Sequence, residues 1–328
     1  MKIIYFHRNL KAGYSINKVS QTIICDIENK EEYYMPYYGA GFKALLGNIL
    51  FIIKHRKPGA IHHITGDIHY GILGLLGYKS VLTVHDTVGL DFTKMSGVKN
   101  LIFKILWYKL PLLFATKVIC ISEVTKAYLQ KYSTRKDIKV IHNAIDPKLK
   151  FTQPKSIEET AKILFIGVKE NKNLLRCFDA LKGIDCHVTI VGNLQEEQTK
   201  RLQKNCIKFT NKRNLTDEEL NAEYANCDIV SFCSLFEGFG MPALEANQAG
   251  RPVLCSNLPV LKEVAGDAAD YVDPYDVSSI RSGYLRLINE EQHRIELVEK
   301  GRINVLNFYP SVIKKGWMDV YNEIENNK

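Results

Sequence analysis

Two carboxylates, a glycine-rich turn and a helix start fall within one short stretch, Ser234-Leu-Phe-Glu237-Gly238-Phe239-Gly240-Met-Pro242-Ala-Leu-Glu245-Ala. The glycines let the backbone turn tightly and approach a ligand, and Pro242 suits the first position of a helix ending at Gly250. A phosphate placed there meets unsatisfied N–H groups and the positive end of a helix dipole. Glu237 falls in the loop and Glu245 in the first turns of the helix, so both can face one crevice. Taken alone, the pair also fits a solvated loop residue and a carboxylate that stabilises a helix N-terminus by about 0.3–1 kcal/mol.

A second segment, Ile163-Leu-Phe-Ile-Gly167-Val-Lys169-Glu-Asn-Lys172-Asn173, supplies a strand, a glycine turn and two lysines before a helix. Cations at a strand end can neutralise a diphosphate. A third, Ser80-Val-Leu-Thr-Val-His85-Asp86, is an apolar strand ending in two polar groups. The run His62-His63-Ile-Thr65-Gly66-Asp67-Ile-His69-Tyr70 is rich in metal-ligating types, but alternate strand residues point to opposite faces. It is expected to form the polar wall of a pocket, with no metal bound. Ser122 fits a helix N-cap, Cys233 reads as structural, and Asp273 and Asp276 read as loop residues.

The elements that must position these residues alternate strand and helix throughout, which predicts parallel sheets with helices on both faces. Strands are expected at residues 2–7, 60–65, 80–85, 117–122 and 139–142, and again at 162–167, 187–192, 207–210, 229–233 and 252–256. The proline-bearing stretch 143–159 reads as a connector between two Rossmann-like halves. Ligands in open α/β sheets bind at the carboxyl ends of the strands. Trp317 and Tyr321, four apart, share one face of a closing helix.

At 328 residues, 46% hydrophobic and 24% charged, the chain suits two compact domains and is too balanced for disorder. No apolar run reaches the length of a membrane span, and the N-terminus reads as a strand, so a cytoplasmic location is expected. The eight cysteines form no Cys-x-x-Cys pair and read as reduced core residues. A net charge of +8 favours anionic partners. It is spread along the chain without a nucleic-acid motif, so nucleic acid is not expected. Gly41–Lys57 and Leu101–Phe114 mix apolar residues with lysines; they read as ordinary core-facing helices or as a basic, partly apolar surface for an anionic membrane face.

The Glu237–Glu245 segment resembles the Glu-x7-Glu signature of retaining, nucleotide-sugar-dependent glycosyltransferases of family 4. The likeness continues through residues 249–259, 263–268 and 272–276. This resemblance implies a GT-B fold, with two Rossmann-like domains facing each other across a cleft: an acceptor-side domain at 1–150, a nucleotide-sugar-binding domain at 151–310, and a helix at 311–328 returning to the first. It further implies a nucleotide-diphosphate sugar as donor substrate, no cofactor or metal, and a glycan or lipid-linked acceptor. His85, Glu237 and Lys172 then stand at the reacting centre. Glu245 holds the ribose, the backbone of Gly238, Phe239 and Gly240 meets sugar and diphosphate, and Gly167 and Lys169 flank the phosphates. Asp86 joins His85, and Gly13 and Tyr14 stand where relatives carry a two-glycine loop. The chain departs from the pattern in having one glycine there, Lys169 in place of an arginine, and Cys233 before Ser234 where a proline is usual. The alternative implied by the fold is a catalytically silent subunit that binds a partner glycosyltransferase.

Overall fold

The computed structural model describes residues 1–12, 15–39, 41–87, 97–157 and 159–326, so Gly13 and Tyr14 lie outside the described residues. The chain forms two compact units, one of Met1–Ala144 with Pro310–Lys328 and one of Ile145–Tyr309. Each is built on a six-stranded parallel sheet, giving an α/β fold.

In the first unit the strands are β1 (Ile3–His7), β2 (Lys30–Tyr34), β3 (Ile61–Ile64), β4 (Ser80–Val84), β5 (Lys117–Cys120) and β6 (Ile138–Val140). They lie in the order β2-β1-β3-β4-β5-β6. The central strands are buried apolar runs, as a sheet covered on both faces demands. One face packs Ile4, Phe6, Ile64, Leu82 and Val118 against helix Phe42–His55 and its neighbours. The other packs Ile3, Tyr5, Ile61 and Val81 against Ile313, Trp317, Val320 and Tyr321 of helix Pro310–Asn326. Tyr5 and Tyr321 share a hydrogen bond of 3.1 Å between hydroxyls.

In the second unit the strands are β7 (Ala161–Ile166), β8 (Cys186–Val191), β9 (Lys208–Lys212), β10 (Ile229–Phe232), β11 (Val253–Ser256) and β12 (Asp270–Val272). Their order, β12-β11-β10-β7-β8-β9, is that of a doubly wound Rossmann sheet. The order reverses between β7 and β10, and at such a switch point the connections leave to opposite faces and open a crevice at the strands' carboxyl ends. Residues 145–150, expected with the first half, belong to this unit: Gln248 Nε2 donates to the Leu149 carbonyl at 2.9 Å. The following residues are tied down too, with Arg251 donating to the Thr152 carbonyl at 2.7 Å and to its hydroxyl at 2.6 Å.

Two edge strands are not evident from the sequence. β2 reads Lys-Glu-Glu-Tyr-Tyr, the charged composition that keeps an edge from pairing with other chains. β12 has only three residues.

Candidate active site

The loops that leave β7 and β10 meet at the switch point of the second unit. After β7 the chain turns at Gly167, whose φ of +88° suits glycine and where a Cβ would press to 3.2 Å from Lys172 Cε. A short 3-10 turn, Glu170–Lys172, then brings Lys172 back over the strand ends. Its Nζ lies 2.6 Å from Glu237 Oε1 and 4.6 Å from the centroid of the Phe232 ring. Asn171 joins the same contact, donating to the Phe236 carbonyl at 3.2 Å and to Glu237 Oε1 at 3.4 Å, while Leu235 N donates to the Asn171 carbonyl at 2.8 Å. Lys172 and Glu237 are 18% and 13% exposed, so their charges interact with little water between them.

Asn173 explains why the loop takes this shape. Its φ of 59° and ψ of 29° are left-handed, a conformation that asparagine tolerates better than other residues bearing a Cβ. Its buried Nδ2 donates to the Cys233 carbonyl at 3.1 Å and to the Pro274 carbonyl at 2.7 Å, so one side chain binds the loops after β7, β10 and β12 together. Arg176 donates to its Oδ1 at 2.9 Å. In the sequence Asn173 reads only as the partner of Lys172 in a pair, and this bridging role is not evident there.

Beyond Glu237 the loop reaches Gly240, φ +115°, where a Cβ would meet Leu261 Cδ2 at 2.5 Å; helix Met241–Ala249 starts there and ends at Gly250, φ +77°. The Phe239 ring is buried against Phe308, with centroids 6.0 Å apart, so its side chain belongs to the core. Glu245, half-buried in the second turn, accepts a 2.6 Å hydrogen bond on Oε2 from the hydroxyl of Tyr224. Tyr224 is fully buried; burial, reinforced by the Glu245 charge, raises its pKa well above the usual phenol range, so it stays a donor. Nothing in its helical setting marks Tyr224 from sequence. Lys169 is exposed and contributes its carbonyl to the turn, accepting from Lys172 N at 2.8 Å. Cys233 is buried, and the loop residues Asp273 and Asp276 each accept from a backbone amide two residues further on.

The first unit holds a separate group at the carboxyl edge of its sheet. His85 follows β4 and donates from Nε2 to the Thr65 carbonyl at 2.8 Å. Loss of hydration lowers its pKa, so the ring is neutral near pH 7. His85 and Asp86 line a pocket shared with Asp67, His69, Phe103, Trp107 and Tyr108. The expected polar wall at 62–70 is corrected in part. His62 and His63 leave β3 on opposite faces and are buried: His62 Nε2 accepts from Lys57 N at 3.0 Å, whereas His63 bonds Tyr321 and Thr83, each at 2.7 Å. Ser122 caps its helix, accepting from Thr125 N at 3.1 Å. Among the described residues no group of three or more His, Cys, Asp or Glu side chains could hold a metal ion.

The pocket's aromatic side owes its shape to Pro111. Proline has no N–H to donate to the Trp107 carbonyl four residues earlier. His69 Nδ1 donates to that carbonyl instead, at 2.9 Å, and the Trp107 indole N–H donates back to the Asp67 carbonyl at 2.8 Å. Residues Ile105–Lys109 take a π-helical turn, with Leu110 N bonded to the Ile105 carbonyl.

Two α/β units, each on a six-stranded parallel sheet, are the architecture of a GT-B glycosyltransferase, and the chain belongs to the family 4 glycosyltransferases of that fold. Residues 148–304 match the family described as Glycosyl transferases group 1, and residues 27–149 match Glycosyltransferase Family 4. An uncharacterised glycosyltransferase of Methanocaldococcus jannaschii is 25% identical, the alignment covering 99% of this chain and 92% of that protein. The O-antigen chain mannosyltransferase B of Escherichia coli is 38% identical over 92 residues; the match spans 28% of this chain and 24% of that relative's length. In fold, the chain is similar to Anabaena HepE, solved in complex with UDP and glucose, with a TM-score of 0.79 at 16% identity over 98% of this chain and 99% of that one.

Proposed function

We propose that this chain transfers a sugar from a nucleoside-diphosphate sugar to a hydroxyl acceptor with retention of configuration and without a metal ion, in the assembly of a surface polysaccharide on a lipid-linked or growing glycan. The observation that carries this reading is the Lys172–Glu237 contact of 2.6 Å at the β7/β10 switch point. It holds a phosphate-binding cation and a hydroxyl-binding carboxylate side by side. A donor diphosphate competes with Glu237 for Lys172 Nζ. Once Lys172 turns to the phosphates, the carboxylate is released to accept hydrogen bonds from the transferred sugar. Glu245, oriented by Tyr224, takes the ribose hydroxyls.

The bond from the anomeric carbon to the leaving phosphate oxygen breaks as the bond to the acceptor oxygen forms on the same face, and the acceptor proton passes to the leaving diphosphate. Lys172 and the N-terminus of helix Met241–Ala249 stabilise the charge that grows there. Two relatives support the reading: HepE was solved with UDP and glucose, and the Escherichia coli relative is an O-antigen chain mannosyltransferase.

Peripheral contact with an anionic membrane is part of the proposal. Helix Phe42–His55 exposes Phe42, Leu46, Leu50 and Ile53 beside Lys43 and Lys54, a basic and partly apolar face. Among the described residues no helix is long and apolar enough to cross a membrane.

The test is steady-state kinetics on folded variants with NMR of the product. Glu245→Ala should raise the donor KM, Glu237→Gln should mainly lower kcat, and the product should keep the donor's anomeric configuration with EDTA present. An inverted product, or kcat/KM near wild type in both variants, would overturn the assignment.

A further inference from the structure

Glu237 meets two donors from the loop after β7, and only one of them is charged. Lys172 Nζ lies 2.6 Å from Glu237 Oε1. Asn171 Nδ2 lies 3.4 Å from the same oxygen and donates to the Phe236 carbonyl at 3.2 Å. The main chain closes the same seam, with Leu235 N donating to the Asn171 carbonyl at 2.8 Å. Asn171 is the middle residue of the turn Glu170–Lys172, which two further main-chain bonds fix, from Lys172 N to the Lys169 carbonyl at 2.8 Å and from Asn173 N to the Glu170 carbonyl at 3.1 Å. Lys172 reaches Glu237 on a flexible four-carbon stem, whereas the short asparagine side chain stands on a pinned backbone. The two donors therefore respond differently when a ligand arrives.

A diphosphate that draws Lys172 away leaves Glu237, 13% exposed, as a largely buried carboxylate without its cation. A charge so placed is costly unless another donor reaches it. Asn171 supplies one. Its amide is neutral, so it does not compete for the phosphates as a second lysine would, and the carboxylate can settle onto it as the lysine departs. Hydrogen bonds in a reacting site are often long before the ligand binds and tighten in the complex. With the amide on Oε1, Oε2 is left to accept from a sugar hydroxyl.

We propose that Asn171 is a positioning residue for Glu237, holding the carboxylate toward the transferred sugar while Lys172 is engaged by the diphosphate. This rests on the transferase reading above. The test compares Asn171→Ala and Asn171→Asp by release of nucleoside diphosphate from UDP- and GDP-hexoses, with binding of UDP and GDP followed by titration calorimetry. Asn171→Ala should lower kcat about tenfold, the scale of one hydrogen bond to a charged group. The donor KM and the affinity for UDP or GDP should stay within about twofold of wild type, because ribose and phosphates meet Glu245 and Lys172 instead. Asn171→Asp keeps the shape but has no N–H to donate, so its kcat should fall at least as far. In Glu237→Gln, where the carboxylate is gone, Asn171→Ala should cost less than about threefold more. Far-UV circular dichroism identifies the folded variants to be compared; the Leu235–Asn171 main-chain bond is open to both substitutions. Wild-type kcat in Asn171→Asp, nucleotide affinity that falls as far as kcat, or a full tenfold loss added in the Glu237→Gln background would each overturn the proposal. A wild type that binds neither UDP nor GDP would instead overturn the transferase reading, and this proposal with it.

Discussion

Replacing Asn173 separates backbone conformation from hydrogen bonding at the centre of the candidate site. In Asn173→Gly the two donated bonds, to the Cys233 and Pro274 carbonyls, are lost, but glycine accepts the left-handed backbone. A lost bond of this kind costs about 1–2 kcal/mol once the stranded buried acceptor is included, so about 2–4 kcal/mol is expected. Asn173→Ala loses the same bonds and also forces a Cβ into the left-handed region, adding about 1–2 kcal/mol. Equilibrium urea unfolding monitored by far-UV circular dichroism should therefore rank wild type above Gly, and Gly above Ala, with similar m-values. The gap between Gly and Ala is the quantity that tests the reasoning. If the two variants unfold at the same urea concentration, the left-handed backbone is not what selects asparagine here, and the account of the loop fails. Donor kcat/KM should fall in both, since Lys172 is the neighbouring residue on the same turn.

The geometry sets three further outcomes. Tyr224→Phe removes a bond to a carboxylate, worth about 1.5–3 kcal/mol, and should raise the donor KM by about tenfold or more with kcat little changed, as steady-state kinetics will show. His63 is buried, and burial lowers its pKa to about 3 from 6.5. The unfolded chain therefore binds the proton first as pH falls, so this contribution to stability is complete above pH 6.5 and is lost progressively from there down through about pH 3. His63→Gln should flatten the decline of the unfolding midpoint over that range. The exposed face of helix Phe42–His55 should carry the protein down with anionic vesicles at low salt and release it at high salt, each nearby lysine contributing about 1 kcal/mol. Equal sedimentation with neutral vesicles would contradict this.

The parallel sheets are legible in the sequence because strands such as β1, β4, β7 and β10 are short apolar runs buried on both faces, and a run of that kind at regular intervals has few other uses. β2 is not, because an edge strand carries Lys30, Glu31 and Glu32 where periodicity analysis looks for apolar residues. At the site, Lys172 and Glu237 each follow a strand in a glycine-bearing loop, and it is the resemblance to family 4 that implies one centre for both. Asn173 and Tyr224 act from beneath, one by holding carbonyls and the other by holding Glu245, and local sequence carries no mark of which distant atom a buried polar group will meet. The histidines at 62 and 63 show the converse. Their density suggests a polar wall, yet each ring is consumed by its own face of the sheet.

The closing helix also sets an order of assembly. Its Trp317, Val320 and Tyr321 form part of the core beneath β1, β3 and β4, although more than three hundred residues separate Tyr5 from Tyr321 in the chain. During synthesis, the first unit is therefore expected to wait with part of one face of its sheet uncovered, beside the Ile23, Ile24 and Ile27 that already pack there, until helix Pro310–Asn326 has been made. The second unit is one continuous stretch, Ile145–Tyr309, and has everything it needs earlier. Completion of the second unit before the first is thus the expected order, the reverse of the usual N-terminal-first sequence on the ribosome. Deleting the helix should injure the half of the protein farthest from it in the chain, leaving the neighbouring second unit able to fold.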